Sequence, residues 1–312
     1  MVIVFWPLVI ARWIHFASVV VLFGSSLFWF YVGHERSSAG FGGLPQTLRA
    51  TTNLLRIAAP LAAISGIAWL AFILINIARD FGSVVDPEDL RLFFFETPFG
   101  TVSFLRLALL VAAIVIAFLP RHGRWSFAAL LHISAVLLVT QAWFGHSVDG
   151  VGFYRATLIT VYGVHTIAAA AWVGGLVPLL FAIIEQRRLG PSEEAGNRIL
   201  DILSRFSLMA MAAVTLIVLS GTITAGFRVS GSLGKLLDSD YGDVLLKKIA
   251  LVAVMLTFAC LNRFVLMPGL RAASLKGVRQ MVRLRYSVTF ELAIGILVLG
   301  ASAILGVTMP PQ

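Results

Sequence analysis

A single cysteine, Cys260, stands among 312 residues, so no disulfide framework, cysteine-based zinc site or iron–sulfur cluster can be built. Charge is scarce as well. Asp, Glu, Lys and Arg make up 12% of the chain against 59% hydrophobic residues, and the mean hydropathy is +0.94, well outside the soluble range. Acids are fewer than bases, 15 against 24, for a net charge of +9. On a soluble chain that surplus would raise nucleic acid as a partner. Here basic loops on one side of a membrane account for it, and nucleic-acid binding drops out. Gly231-Ser232-Leu233-Gly234-Lys235-Leu236 lacks the spacing and the Ser/Thr of a phosphate-binding loop, and no soluble domain is large enough to hydrolyse a nucleotide, which excludes ATP-driven pumping. No H-E-x-x-H, G-x-S-x-G or paired membrane carboxylates occur, so hydrolysis has no machinery and the expectation is a protein that is not an enzyme.

What the chain does have is apolar length. Eight stretches, at 4–32, 54–78, 99–119, 125–146, 157–184, 204–227, 244–266 and 286–309, each approach the ~20 residues a helix needs to cross ~30 Å of hydrocarbon. The spacing predicts an all-α polytopic protein of eight transmembrane helices with lipid as its surroundings. Met1 to Ile10 carries no basic residue and no small-residue cleavage site follows, so the first stretch reads as a retained helix. Counted over alternate loops, Arg36, Arg49, Arg121, Arg124, Arg187, Arg188, Arg198, Arg271, Lys276, Arg279, Arg283 and Arg285 share one side, against Arg79, Arg91, Arg155, Arg228 and Lys235 on the other. The richer side is expected in the cytoplasm, which puts both termini outside. Outer loops also hold Asp80, Asp86, Glu88, Asp89, Glu96, Asp149, Asp238, Asp240 and Asp243. They read either as a vestibule favouring cations or as ordinary solvated loops.

The two halves, 1–150 and 151–312, look like copies. His15 is followed nine residues later by Gly24-Ser25, and His165 nine later by Gly174-Gly175. Ser65-Gly66 on the second helix matches Ser220-Gly221 on the sixth. Phe99-Gly100 through Leu109 on the third reads against Tyr241-Gly242 through Leu251 on the seventh, which aligns Arg106 with Lys248. Matches in the same order imply a duplicated four-helix repeat, both copies inserted in the same orientation about an axis along the membrane normal. Helices four and eight then correspond, setting His132 roughly opposite Glu291. His146 has no counterpart, because Gly306-Val307 stands where the first copy has Gly145-His146.

Polar groups inside a membrane are costly and usually face a partner, a cavity or a pathway. His15, His146 and His165 all fall in the outer half, and imidazole ligates copper, zinc and haem iron. Interhelical hydrogen bonding is the plain alternative for each alone; three at similar depth, two of them in repeated motifs, read as a metal site. His132 and Glu291 could form an inner step for a cation, or a structural pair with Arg263 or Arg285. His34 and His122 read as solvated loop residues. Arg12, Arg106, Lys247 and Lys248 lie near the outer interface and are expected to snorkel. Trp6, Trp13, Trp29, Trp143 and Trp172 fit an interfacial belt, and Met209 and Met211 read as filler of the core.

Arg12-Trp13-Ile14-His15, Gly145-His146-Ser147 and His165 through Trp172-Val173-Gly174-Gly175-Leu176 together resemble the bacterial copper resistance protein D (CopD/PcoD) family. The likeness continues through Arg205-Phe206-Ser207, Ser220-Gly221, Tyr241-Gly242 to Lys248, Asn262-Arg263, Glu291 and Pro310, and so spans all eight helices. The resemblance implies an inner-membrane protein that takes copper from the periplasm toward the cytoplasm, working with a small periplasmic carrier of the CopC type. No CopC-like domain is appended, so a carrier would be separate, and a methionine-rich outer segment is missing. Four readings stay open: a copper permease; a haem b or quinone redox protein with His15 and His165 as axial ligands; a sensor or assembly factor for cuproenzymes; and a structural subunit without ligand.

Overall fold

The structure is a computed structural model and describes residues 5–32, 43–120, 123–144, 152–190, 193–228, 234, 238–270 and 275–308. His34, His122 and His146 lie outside the described residues. Among the described residues eight helices are long and apolar enough to cross a membrane, and no strand occurs. They are α1 (Trp6–Val32), α2 (Pro45–Ala78), α3 (Pro98–Ala117), α4 (Arg124–Val139), α5 (Gly152–Leu189), α6 (Glu193–Arg228), α7 (Asp240–Leu261) and α8 (Leu275–Leu305). A 3₁₀ turn, Thr140–Phe144, continues α4, and a π-helical turn, Asn262–Leu266, continues α7.

Several helices run beyond their apolar stretches. α2 starts at Pro45, not near residue 54, because its first turn is built from parts that hydropathy does not register. Proline occupies the first helical turn, where its missing N–H is no loss. The buried Glu185 carboxylate, from α5, accepts from Gln46 N at 3.0 Å, Thr47 N at 2.6 Å and the Thr47 hydroxyl at 2.7 Å. A carboxylate at a helix N-terminus satisfies free N–H groups and meets the positive end of the dipole.

Helices α1 and α5 form the centre. α1 packs on α2, α4, α5, α6 and α8, and α5 on α1, α2, α4, α6 and α8, whereas α7 rests mainly on α8. Association in lipid depends on close packing because the surroundings are as apolar as the helices. The glycines of the repeated His-x8-Gly motif supply that closeness. A Cβ added at Gly24 would lie 2.3 Å from the carbonyl carbon of Gly174, and one at Gly174 would lie 2.1 Å from Val20 O, so α1 and α5 touch backbone to backbone. Around this crossing Val19, Leu22, Leu176 and Leu179 are buried. Ile57, Ile64 and Val111 are exposed, an apolar rim suited to lipid.

The loop between α2 and α3 employs several of its acids structurally. Asp80 accepts from Gly82 N at 3.1 Å and Asp86 from Glu88 N at 2.8 Å, each capping a short helical turn, while Arg91 pairs with Glu96 at 3.3 Å. These acids are therefore engaged in holding the loop.

Candidate functional site

Besides the Glu185 carboxylate at the start of α2, three clusters of polar side chains lie within the bundle among the described residues. The first surrounds His15 on α1, which is fully buried at 0% exposure. Its Nδ1 lies 2.8 Å from Ala62 O on α2 and its Nε2 lies 2.6 Å from Arg106 Nη2 on α3. A guanidinium can only donate, so Nε2 accepts and Nδ1 carries the proton donated to Ala62. Arg106 completes its fork on α4, donating from Nη1 to Leu137 O and to Thr140 Oγ1, both at 2.7 Å. Its guanidinium lies over Trp69 at 5.5 Å and Phe144 at 5.4 Å. Arg12 lies over Phe16 at 5.0 Å and Trp69 at 5.5 Å. With 4% and 3% exposure, Arg12 and Arg106 do not snorkel. Aromatic faces and carbonyls within the bundle take the place of water.

The second cluster repeats this arrangement more openly. His165 on α5 places Nδ1 3.0 Å from Ser220 Oγ on α6. That hydroxyl gives its own proton to Leu216 O at 2.5 Å, so it accepts from the ring, Nδ1 is protonated, and Nε2 bears the lone pair. Nε2 has no hydrogen-bond partner among the described residues. Gly221 faces His165 as Gly66 faces His15, and Lys248, aligned with Arg106 in sequence, lies within electrostatic reach of the ring. His15 is thus closed on both nitrogens, whereas His165 is oriented through one nitrogen with the other free, as in a ligating histidine.

The third cluster lies toward the opposite ends of α5 to α8. Glu291 on α8, 2% exposed, accepts from Trp172 Nε1 at 2.8 Å and from Asn262 Nδ2 at 3.0 Å. The π-helical turn that begins at Asn262 places this residue against Glu291, and such turns often mark functional positions. Arg263 donates to Ser207 Oγ at 2.6 Å and forms no ion pair with Glu291. Trp172 is accordingly a buried hydrogen-bond donor and not part of an interfacial belt.

Not every residue picked from the sequence meets its expected partner. His132 is exposed, with Nδ1 2.7 Å from Ala128 O of its own helix, so it does not join the buried Glu291. The repeat matches depth along two helices, and rotation about each axis decides which face a side chain occupies. Among the described residues no three His, Cys, Asp or Glu side chains converge as a metal site, and His146 lies outside them. Axial haem ligation by His15 and His165 requires a free nitrogen on His15, and Arg106 and Ala62 take both. Glu185 was not singled out in the sequence, since its partners are 138 and 139 residues away.

Comparison with known proteins bears on this geometry. Residues 3–156 match the family described as copper resistance protein D-like, N-terminal domain, and residues 200–305 match copper resistance protein D. The chain is 32% identical to copper resistance protein D of Pseudomonas syringae pv. tomato over 97% of both chains. It is 26% identical to the inner membrane protein YebZ of Escherichia coli (strain K12), over 83% of this chain and 84% of that one. A third relative, the copper transport protein CutJ of Bacillus subtilis (strain 168), is 28% identical over 60% of this chain and 34% of its own length. No solved structure matches significantly. Family profiles at both ends, together with near full-length identity, establish that the chain belongs to the copper resistance protein D family.

Proposed function

We propose that this protein handles copper at the bacterial inner membrane and moves it from the periplasm toward the cytoplasm, with His165 as the first protein ligand. The observation that carries the reading is the His165 Nε2, which has no partner among the described residues, with its tautomer fixed by Ser220. A neutral imidazole with its second nitrogen anchored is the usual form of a copper-binding histidine. Relatives named for copper resistance and copper transport supply the metal. His146, which lies outside the described residues, would add a second imidazole. His15 serves to hold Arg106. Both termini face the periplasm in this reading, on the strength of the basic loops, and a separate CopC-like carrier delivers the metal. The halves 1–150 and 151–312 are read as parallel repeats, supported by the His15/Gly66 and His165/Gly221 pairs. Copper(I) titration of the purified protein tests the outer site. His165→Ala is expected to lose one bound equivalent, and His15→Ala none; full binding by His165→Ala would place the site elsewhere.

A further inference from the structure

Among the described residues two carboxylates are buried, and their surroundings differ. Glu185, 3% exposed, meets three donors at the start of α2, and the helix terminus accounts for its charge. Glu291, 2% exposed, meets two neutral donors and, among the described residues, no cation. A carboxylate in that position is expensive unless something positive joins it. A cavity of about 40 Å³ adjoins it, lined by Glu291, Asn262, Ser207, Arg263, Trp172 and Met267 among others. A water or small ion needs roughly 10–15 Å³, so there is room for one. Asn262, which lines the same cavity, gives its N–H to Glu291, and its Oδ1 is buried with no partner among the described residues. An unpartnered buried carbonyl oxygen calls for an explanation, and a ligand in the adjoining cavity supplies one. Arg263, the one basic side chain in the lining among the described residues, is held by Ser207 and lies 5.8 Å from the Phe264 ring.

We infer that this cavity is a second cation site, in which the Glu291 carboxylate, the Asn262 Oδ1 and the Met267 thioether receive copper(I) on the cytoplasmic side of the bundle. The carboxylate supplies charge, the amide oxygen fills a coordination position otherwise wasted, and the thioether favours copper(I) over hard cations such as sodium or magnesium. Trp172 and the Asn262 N–H hold the carboxylate in place, as the outer partners of a metal ligand do. The choice of copper rests on the function proposed above.

The experiment titrates copper(I) into purified full-length protein against a competing chelator, for wild type, His165→Ala, Glu291→Gln and Met267→Leu. Expected is an equivalent that survives His165→Ala, disappears in Glu291→Gln and weakens about tenfold or more in Met267→Leu. Met267→Leu nearly conserves volume, so it carries the test if Glu291→Gln fails to fold. Wild-type affinity and stoichiometry in both inner variants overturn the site. Unchanged binding in His165→Ala, with loss in Glu291→Gln, instead removes the outer ligand and leaves the inner site standing.

Discussion

Substituting Gly24 by Ala should separate the two central helices. The added Cβ would lie 2.3 Å from Gly174 C, 2.5 Å from Gly174 Cα and 2.5 Å from Gly175 N. Carbon atoms rest at about 3.5–4.0 Å, so α1 and α5 must move apart by about 1.2–1.7 Å at the crossing. Every obstructing atom is backbone, and no rotamer change can relieve the clash. A gap of about 0.5–1 Å already forfeits a quarter to a half of each dispersion contact, and overpacking alone costs about 1–3 kcal/mol. With contacts loosened on both sides of the crossing, the loss should reach about 3 kcal/mol or more. Gly226→Ala is the control: nothing lies within 4 Å of its Cβ, and an alanine inside α6 should gain about 0.5–1 kcal/mol. Unfolding in detergent, followed by tryptophan fluorescence, reads both. The double variant Gly24→Ala, Gly174→Ala should cost less than the sum of the single changes, because one separation relieves both clashes. A Gly24→Ala protein within about 0.5 kcal/mol of wild type would refute backbone contact at this crossing.

Glu185→Ala leaves two N–H groups and a hydroxyl at the start of α2 without their acceptor, and should lower stability in the same assay by about 2–4 kcal/mol. His15→Ala removes the acceptor of a buried guanidinium; it should cost about 2–3 kcal/mol while leaving copper stoichiometry unchanged. Ser220→Ala frees the His165 ring from its anchor, and should weaken copper(I) binding about 10–100-fold with little change in unfolding. His132→Ala, on an exposed face, should change stability by no more than about 0.5 kcal/mol and leave copper binding intact.

The membrane spans could be read from the sequence because hydropathy measures the one property a bilayer demands. Helix ends could not, since the start of α2 depends on a carboxylate from α5. The glycines of the His-x8-Gly motif prove to be where α1 and α5 meet. What the motif could not convey was that two similar histidines differ in availability. That difference comes from Arg106 reaching His15 Nε2 while Nε2 of His165 meets no partner among the described residues. Burial of Arg12 and Arg106 was likewise hidden, because a long cation near a helix end can reach water or aromatic rings equally well. Glu291 stood out as a carboxylate in an apolar stretch. Its pairing with His132 failed because sequence correspondence fixes depth and leaves helix rotation free.

Copper influx into proteoliposomes reconstituted with the protein, read by a copper(I) indicator in the lumen, tests the central claim most directly. The account predicts that wild type fills vesicles from the side bearing His165, that His165→Ala slows filling about tenfold or more, and that His15→Ala reconstituted at equal folded amount fills at the wild-type rate. Equal influx with wild type and His165→Ala, or none above protein-free vesicles, would contradict it.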